Sequence, residues 1–239
     1  MSDISVLLVH GELHGAWCWR DVAPELREHG LSVRAIDLPG HGADPTPVQD
    51  ITFESYARAV LAEMGPRTLL VGQGMGGYAV SAAAEAATDR TAGIIYVSAY
   101  IPSAHRSVAD MRARAARDPF DGITRAADDG QTFAICPDAV HDLLYHDCPP
   151  GILTYAGARI NREPVAPLRV PLNALERAIR VPRYAIITEN DHMISPEYQA
   201  EMAEGIPQSN IRRLATSHAS FFTDPKGLAS EIARIARAV

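Results

Sequence analysis

Short apolar runs alternate along the chain with longer segments in which apolar residues recur at helical spacing. Nearly every residue of the short runs is apolar, which is typical of strands in a parallel sheet covered on both faces. The alternation predicts an α/β fold, a mostly parallel six-stranded sheet flanked by helices. We predict strands at Ser5–His10, Ser32–Leu38, Thr68–Gly72, Gly93–Ser98, Tyr184–Thr188 and Ile211–Ala215. We predict helices at Trp19–His29, Phe53–Met64, Gly76–Ala87, Pro196–Glu204 and Ser220–Ala238.

The alternation stops after Pro102. From Ser103 to Ile179 the chain is richer in charge, contains several prolines and shows mainly helical periodicity. We therefore expect residues 103–179 to form a mainly helical cap inserted over the sheet. Residues 1–102 and 180–239 then form the core. The alternative is that residues 103–179 fold as a separate small domain.

Composition narrows the classes of function. A chain of 239 residues with 47% hydrophobic residues can bury a substantial core, which excludes disorder as its main state. The 29 acidic residues outnumber the 22 basic ones, whereas nucleic-acid binders normally carry a basic balance, so we expect no nucleic-acid partner. No stretch approaches ~20 apolar residues and no basic leader precedes the first apolar run, so we expect no membrane span and a cytoplasmic location.

The cysteines and histidines do not suggest a metal centre. The three cysteines are too few and too scattered for a disulfide framework, and they lack the paired spacing of a zinc site. The histidines are dispersed along the chain, whereas a metal needs three or four convergent ligands. We expect neither a metal nor a cofactor.

Candidate chemistry follows the predicted strands, because ligands of parallel α/β sheets bind at the carboxyl ends of the strands. Residues 10–17 follow the first strand and include several polar and aromatic residues. Residues 72–77 follow the third strand and are rich in glycine. Residues 217–222 follow the last strand, and the strand before it ends in residues 188–191.

These segments resemble the α/β-hydrolase fold family, in particular its branch of plant methylesterases and hydroxynitrile lyases with their bacterial esterase relatives. The resemblance covers nearly the whole chain, through residues 7–11, 14–19, 37–42, 145–148 and 188–191 and the segment around His218. The family's nucleophile elbow reads G-x-S-x-G. Residues 72–76 here read Gly-Gln-Gly-Met-Gly, so Gly74 stands at the serine position. Without a side-chain oxygen there, no acyl-serine intermediate can form.

The resemblance implies roles for the rest of the site. His218 matches the family's base and Asp191 its orienting acid, and a His–Asp dyad is a complete general base. The backbone N–H groups of Met75 and Glu12 match the oxyanion hole. The alternatives are that the dyad is a remnant of an ancestral site, or that His218 merely caps the following helix.

Glu12 is unusual, because the family generally has a small or apolar residue there. Its carboxylate can serve as a second acid or base, or it can turn to solvent or pair with a nearby arginine. We expect His10 and His14 to shape the oxyanion loop. We expect a substrate pocket lined by Gly11, Glu12, His14, Trp17, Tyr78, Phe120, Phe133, Tyr145 and Phe221, and the alternative for the aromatic residues is plain core.

We therefore expect an enzyme that works without a covalent intermediate on a small to medium apolar ester or carbonyl compound. The reaction is hydrolysis, or proton transfer of the lyase, cyclase or isomerase type. One alternative is a serine esterase with an engineered glycine at position 74. The other is a ligand-binding pseudo-hydrolase without turnover. The partner is a small-molecule substrate, and the resembling branch suggests a homodimer.

Overall fold

Six strands lie side by side in one parallel sheet. The computed structural model describes residues 4–239, so residues 1–3 of the predicted core lie outside the described residues. The strands are β1 (Ser5–Val9), β2 (Ser32–Ile36), β3 (Thr68–Gly74), β4 (Thr91–Ala99), β5 (Thr124–Ala126), β6 (Thr132–Ile135), β7 (Glu163–Pro164), β8 (Arg183–Thr188) and β9 (Ile211–Leu214). The main sheet has the order β2-β1-β3-β4-β8-β9, and every neighbouring pair is parallel.

Helices connect these strands. They are α1 (Val22–Glu28), α2 (Phe53–Glu63), α3 (Gly76–Ala86), α4 (Val108–Arg114), α5 (Pro137–Val140), α6 (Ile152–Gly157), α7 (Val165–Leu168), α8 (Pro196–Met202), α9 (Ser220–Thr223) and α10 (Pro225–Ala236). Short 3-10 turns occur at Ala16–Trp19, Val48–Asp50, Thr88–Arg90, Ala178–Arg180 and Gln208–Asn210, and a π-helical turn at His141–Tyr145. No helix within residues 4–239 combines the length and the apolar character needed to cross a bilayer.

The predicted α/β fold is confirmed, and all six predicted strands are present with ends that differ by at most two residues. The predicted last helix is two helices, α9 and α10, which meet at Asp224. Asp224 precedes Pro225 and is not helical, because a following proline disfavours the helical conformation. Its side chain then caps α10 by accepting a hydrogen bond from Gly227 N–H.

Residues 103–179 contain more than helices. They include α4 to α7 and a second sheet, in which β6 pairs antiparallel with both β5 and β7. The expectation of a mainly helical segment missed this sheet, because strands of two to four residues are too short to show an alternating pattern. The segment contacts the loops that follow the main strands, for example where Leu13 N–H donates to Glu163 and Tyr145 contacts His14.

Candidate active site

The turn between β3 and α3 places Gly74 at the centre of the site. Gly74 has a φ of +53°, in the left-handed region that glycine adopts at little cost. A Cβ at Gly76 would lie 2.5 Å from the carbonyl oxygen of His10, so only glycine lets the start of α3 approach the end of β1 this closely. As a result, Met75 N–H, at the start of α3, faces the loop after β1 and donates there to Glu12.

His218 and Asp191 form a buried hydrogen-bonded dyad. His218 Nδ1 and Asp191 Oδ2 are 2.8 Å apart, and the residues are 2% and 4% exposed. The hydroxyl of Thr188 and the amide of Gln199 also donate to Asp191 Oδ2, and the backbone N–H groups of residues 193–194 donate to its other oxygen. Because these bonds orient the carboxylate as an acceptor, His218 carries its proton on Nδ1, and Nε2 keeps a lone pair.

The side-chain amide of Gln73 donates a hydrogen bond to the lone pair of His218 Nε2. Gly11 N–H donates to Gln73 Oε1 at 3.0 Å, which turns the amide nitrogen toward His218. Gln73 Nε2 then donates to His218 Nε2 at 2.7 Å. A Cβ at Gly74 would lie 3.8 Å from the same ring nitrogen, so His218 faces the position next to Gly74. The base is oriented, but it is hydrogen-bonded within the protein.

The carboxylate of Glu12 accepts a hydrogen bond from the nearby backbone N–H group of Met75. Its Oε2 accepts a hydrogen bond from Met75 N–H at 2.9 Å, and its Oε1 accepts one from Arg112 Nη2 at 2.9 Å. The side chains of Glu12 and Arg112 are 1% and 11% exposed, so this is a buried ion pair. A Cβ at Gly74 would lie 3.0 Å from Glu12 Oε2. Of the alternatives open from the sequence, the structure thus pairs Glu12 with an arginine while its carboxylate lies beside Gly74.

The histidines of the loop after β1 are held neutral. His14 Nδ1 donates to Glu12 O, and the hydroxyl of Tyr145 donates to His14 Nε2, each at 2.7 Å. Burial lowers the pKa of His14 to about 4. His10 donates to Gly11 O and accepts from Leu38 N–H, and burial lowers its pKa as well. Both rings therefore support the loop structurally.

Glu163 in β7 links the loop after β1 to residues 103–179 through hydrogen bonds. Its fully buried carboxylate accepts hydrogen bonds from Leu13 N–H at 2.7 Å and from His41 Nε2 at 3.0 Å. Leu13 has a φ of +66°, which is unfavourable for a branched side chain. Burial pushes the pKa of His41 down, but the adjacent Glu163 carboxylate outweighs burial and raises it. Both ring nitrogens of His41 face acceptors, as an imidazolium requires.

The expected pocket residues separate into four groups. His14, Trp17, Tyr145 and Phe221 form one aromatic cluster, in which His14 stacks on Trp17 at 5.2 Å. Phe120 and Phe133 pack edge to face and line a cavity of about 520 Å³ together with Arg112. Tyr78 is buried on α3 against Phe53. Gly11 and Glu12 lie at the dyad through their bonds to Gln73 and Met75.

Within the described part of the chain, no group of three or more His, Cys, Asp or Glu side chains is arranged to hold a metal ion. The ionisable groups nearest Gly74 are instead committed to one another. His218 is paired with Asp191, and Glu12 is paired with Arg112. The arrangement therefore offers general acid–base chemistry from side chains.

Comparison with known proteins identifies the family. The model of the alpha/beta hydrolase family matches residues 6–231, so the chain belongs to that family. Methyl jasmonate esterase 1 of Vitis vinifera is 26% identical over an alignment of 248 positions, which covers 96% of this chain and 95% of that protein. Methylesterase 7 of Arabidopsis thaliana is 26% identical over an alignment of 247 positions, which covers 96% of this chain and 95% of that protein.

A solved structure of a hydrolase has the same fold. A pyrethroid hydrolase from Sphingobium faniae JZ-2 superposes with a TM-score of 0.88 at 25% identity, and the alignment covers 98% of both chains. The names of these relatives, esterase, methylesterase and hydrolase, support a hydrolase-like enzyme.

Sequence reasoning assigned no role to Gln73, Arg112 or Glu163, which contact His218, Glu12 and Leu13. Gln73 stands inside the glycine-rich turn, so its place in the motif could have marked it as a neighbour of the site. Arg112 is 100 residues from Glu12 and Glu163 is 150 from Leu13. No local pattern connects residues so far apart.

Proposed function

We propose that this protein is an α/β-hydrolase-fold enzyme that uses the His218–Asp191 dyad as a general base and forms no covalent acyl intermediate. Its substrate is a small to medium ester or carbonyl compound. The observation that carries the proposal is the dyad geometry next to Gly74. His218 Nδ1 is bonded to Asp191, and Nε2 faces a position at which this chain has no nucleophilic side chain.

The absence of a side chain at Gly74 decides between covalent and direct mechanisms. In the serine enzymes of this fold, the hydroxyl on the turn attacks the carbonyl carbon and the histidine accepts its proton. Here a water molecule next to Gly74 takes the place of that hydroxyl. Once Gln73 has released His218 Nε2, this nitrogen removes a proton from the water, and the resulting hydroxide attacks the ester carbonyl. The C–O bond then breaks, and the protonated imidazole returns its proton to the departing alkoxide.

The same base serves proton transfer at carbon. If the substrate presents an acidic C–H next to its carbonyl group, His218 Nε2 removes that proton and an enolate forms. Met75 N–H at the start of α3 is the donor best placed to stabilise the negative oxygen of either reaction. It donates to Glu12 in the structure, so Glu12 must release this donor before an oxyanion can use it.

Glu12 also bears on the alternative of a serine esterase with an engineered glycine at position 74. A Cβ at position 74 would lie 3.0 Å from Glu12 Oε2 and 3.2 Å from Gly11 Cα, which is tighter than ordinary contact. The left-handed φ of +53° does not discriminate between a native and an engineered glycine, because the serine of the family's elbow also sits on a strained turn. Glycine at position 74 and the buried carboxylate of Glu12 therefore fit one another, which supports a native glycine.

One observation favours a second candidate, a ligand-binding protein without turnover. Both groups that catalysis would use, His218 Nε2 and Met75 N–H, are hydrogen-bonded to side chains of the chain itself. A pure binding protein does not need an exposed base. A binding protein also does not need an oriented base. Four hydrogen-bond donors hold Asp191 in place and so orient His218, which supports the enzyme.

Two assays test the proposal together. One follows hydrolysis of an activated aryl ester, and the other follows exchange of the C–H protons of a β-keto ester with deuterium by NMR. We expect turnover in at least one assay, and a loss of about 100-fold or more in His218→Ala. Asp191→Asn should lose activity while it keeps the fold.

His29→Ala is the matched control, because His29 is an exposed histidine at the end of α1 and makes no hydrogen bond to His218 or Asp191. It should keep the parent activity. Equal rates in the parent and His218→Ala would overturn the enzyme proposal and favour the binding protein.

A further inference from the structure

The cavity next to Arg112 combines an apolar wall with one buried cation. Its volume is about 520 Å³, and it is open to solvent. Phe120, Phe133, Val165 and Leu168 supply apolar surface, and Arg112 closes the cavity on the side of the dyad. A space of this size and composition accommodates a small organic molecule.

Arg112 is not fully paired. One guanidinium nitrogen donates to Glu12, and the planar group lies over the ring of Phe120 with its carbon 4.3 Å from the ring centre. Its Nε is buried and has no hydrogen-bond partner among residues 4–239. A buried donor without a partner is costly, and arginine presents its donors as a planar fork that matches a carboxylate. Because Nε is shielded from the cavity, a carboxylate there would meet Arg112 through the terminal nitrogens of its guanidinium group.

We propose that this cavity binds a substrate that carries a carboxylate group on an apolar chain, with the carboxylate held by Arg112. The chain of the ligand lies on Phe120 and Phe133. Arg112 also contacts Glu12, whose other oxygen is bonded to Met75 N–H, so the cavity adjoins the Glu12 side of the site. The inference rests on the proposed function only in treating the bound compound as a substrate.

Other charges around the cavity do not cancel this preference. Asp118 and Asp121 line it but are exposed, so water screens their charges, and Asp118 is also bonded to Phe120 N–H. Arg169 also lines the cavity and is exposed. Arg112 is the buried charge on this wall, and a buried charge interacts more strongly with a ligand than a solvated one.

The proposed site makes Glu12 a competitor of the ligand. Glu12 and the ligand carboxylate both use the guanidinium of Arg112, and their negative charges repel each other. Replacing Glu12 by glutamine removes that charge while keeping a side chain of the same size. A carboxylate ligand should then bind more tightly, whereas a neutral ligand should not.

Calorimetric titration with octanoate and octanamide tests the proposal without requiring turnover. The two probes share an apolar chain and differ in charge. We expect the parent to bind octanoate about ten-fold or more tightly than octanamide, as expected for charge-assisted hydrogen bonds. Arg112→Gln should remove this preference, and Glu12→Gln should increase it.

Arg169→Gln is the matched control, since it removes a second positive charge from the same cavity, and it should keep the preference. Arg112→Lys keeps the charge and should keep a reduced preference, which distinguishes loss of the site from loss of the fold. The binding readout requires no turnover, so this proposal is tested separately from the proposed catalysis. Equal binding of both probes by the parent, or a preference that survives in Arg112→Gln, would overturn the proposal.

Discussion

The carboxylate of Glu12 accepts a hydrogen bond from the backbone N–H of Met75 at 2.9 Å. In the family that the chain belongs to, an N–H group at this point of the fold stabilises the negative oxygen of the reacting substrate. Here the chain supplies its own negative oxygen. Gln73 likewise donates to His218 Nε2, the nitrogen that would accept a proton. Both halves of the site are thus occupied by side chains, and the following predictions concern what happens when they are changed.

Gly74→Ser alone should give little acyl-enzyme, because the new side chain meets Glu12 Oε2. The double variant Gly74→Ser/Glu12→Ala removes that carboxylate and should produce a burst of product from an activated aryl ester. Stopped-flow measurement of burst amplitude per enzyme checks this. Glu12→Ala alone serves as the control and should show no burst. A full burst in Gly74→Ser alone would show that Glu12 does not crowd position 74.

Gln73→Glu should strongly reduce general-base activity at neutral pH. The new carboxylate can still accept the Gly11 N–H bond, but it faces His218 Nε2 with a negative charge and favours the protonated imidazole. A protonated ring cannot accept a proton, so we expect at least a ten-fold loss of kcat at pH 7. The loss should shrink as the pH is raised, which a pH–rate profile will show.

The matched variant Gln73→Met has a similar length and no hydrogen-bonding group. It leaves the lone pair of His218 available, so its activity should equal or exceed that of the parent. If Gln73→Met loses as much activity as Gln73→Glu, Gln73 serves mainly to position His218.

His14 should make the protein less stable in acid. Its pKa falls from 6.5 to about 4 on folding, so between these pH values the unfolded chain binds more protons than the folded one. Stability therefore falls as the pH is lowered from about 6.5 to about 4, and the shift corresponds to about 3 kcal/mol. Urea unfolding at pH 7 and pH 4 measures this loss.

His14→Phe keeps an aromatic ring against Trp17 and removes the titrating group. The variant should lose less stability over the same pH interval than the parent. An identical loss in both proteins would assign the acid sensitivity to other groups, of which His10 is the first to consider, since its pKa is also lowered by burial.

Glu163→Leu should destabilise the protein by about 3 kcal/mol, since it leaves His41 and Leu13 N–H buried without their shared acceptor. Glu163→Gln should cost less, because both bonds end on one carboxylate oxygen and an amide oxygen in its place can still accept them. Equilibrium urea unfolding at pH 7 measures both effects. Glu197→Gln, an exposed change on α8, is the control and should stay within about 0.5 kcal/mol of the parent. A similarly small effect of Glu163→Leu would mean that the loop does not depend on this carboxylate.

The main sheet could be predicted because its strands are local runs of apolar residues, such as β3, in which all seven residues are buried. The proximity of Gly74, Asp191 and His218 could be predicted through their resemblance to family motifs, and their catalytic roles stay a prediction. The antiparallel sheet of the 103–179 segment was not, because β7 has only two residues.

The contacts of Glu12 were also beyond the sequence. A glutamate in a glycine-rich loop can face solvent, an arginine or a substrate, and the choice depends on where α4 places Arg112 after folding. The charge at position 12 is a property of the sequence, whereas its partner is a property of the tertiary structure.

Intact-mass spectrometry of the enzyme during turnover of an activated aryl ester tests the central claim most directly. Samples are acid-quenched while hydrolysis proceeds, and the Gly74→Ser/Glu12→Ala variant provides the positive control for an acyl adduct. The account predicts an unmodified mass for the parent at every time point, with turnover that disappears in His218→Ala. An acyl adduct that accumulates and decays at the rate of turnover would contradict direct general-base catalysis by His218 and Asp191.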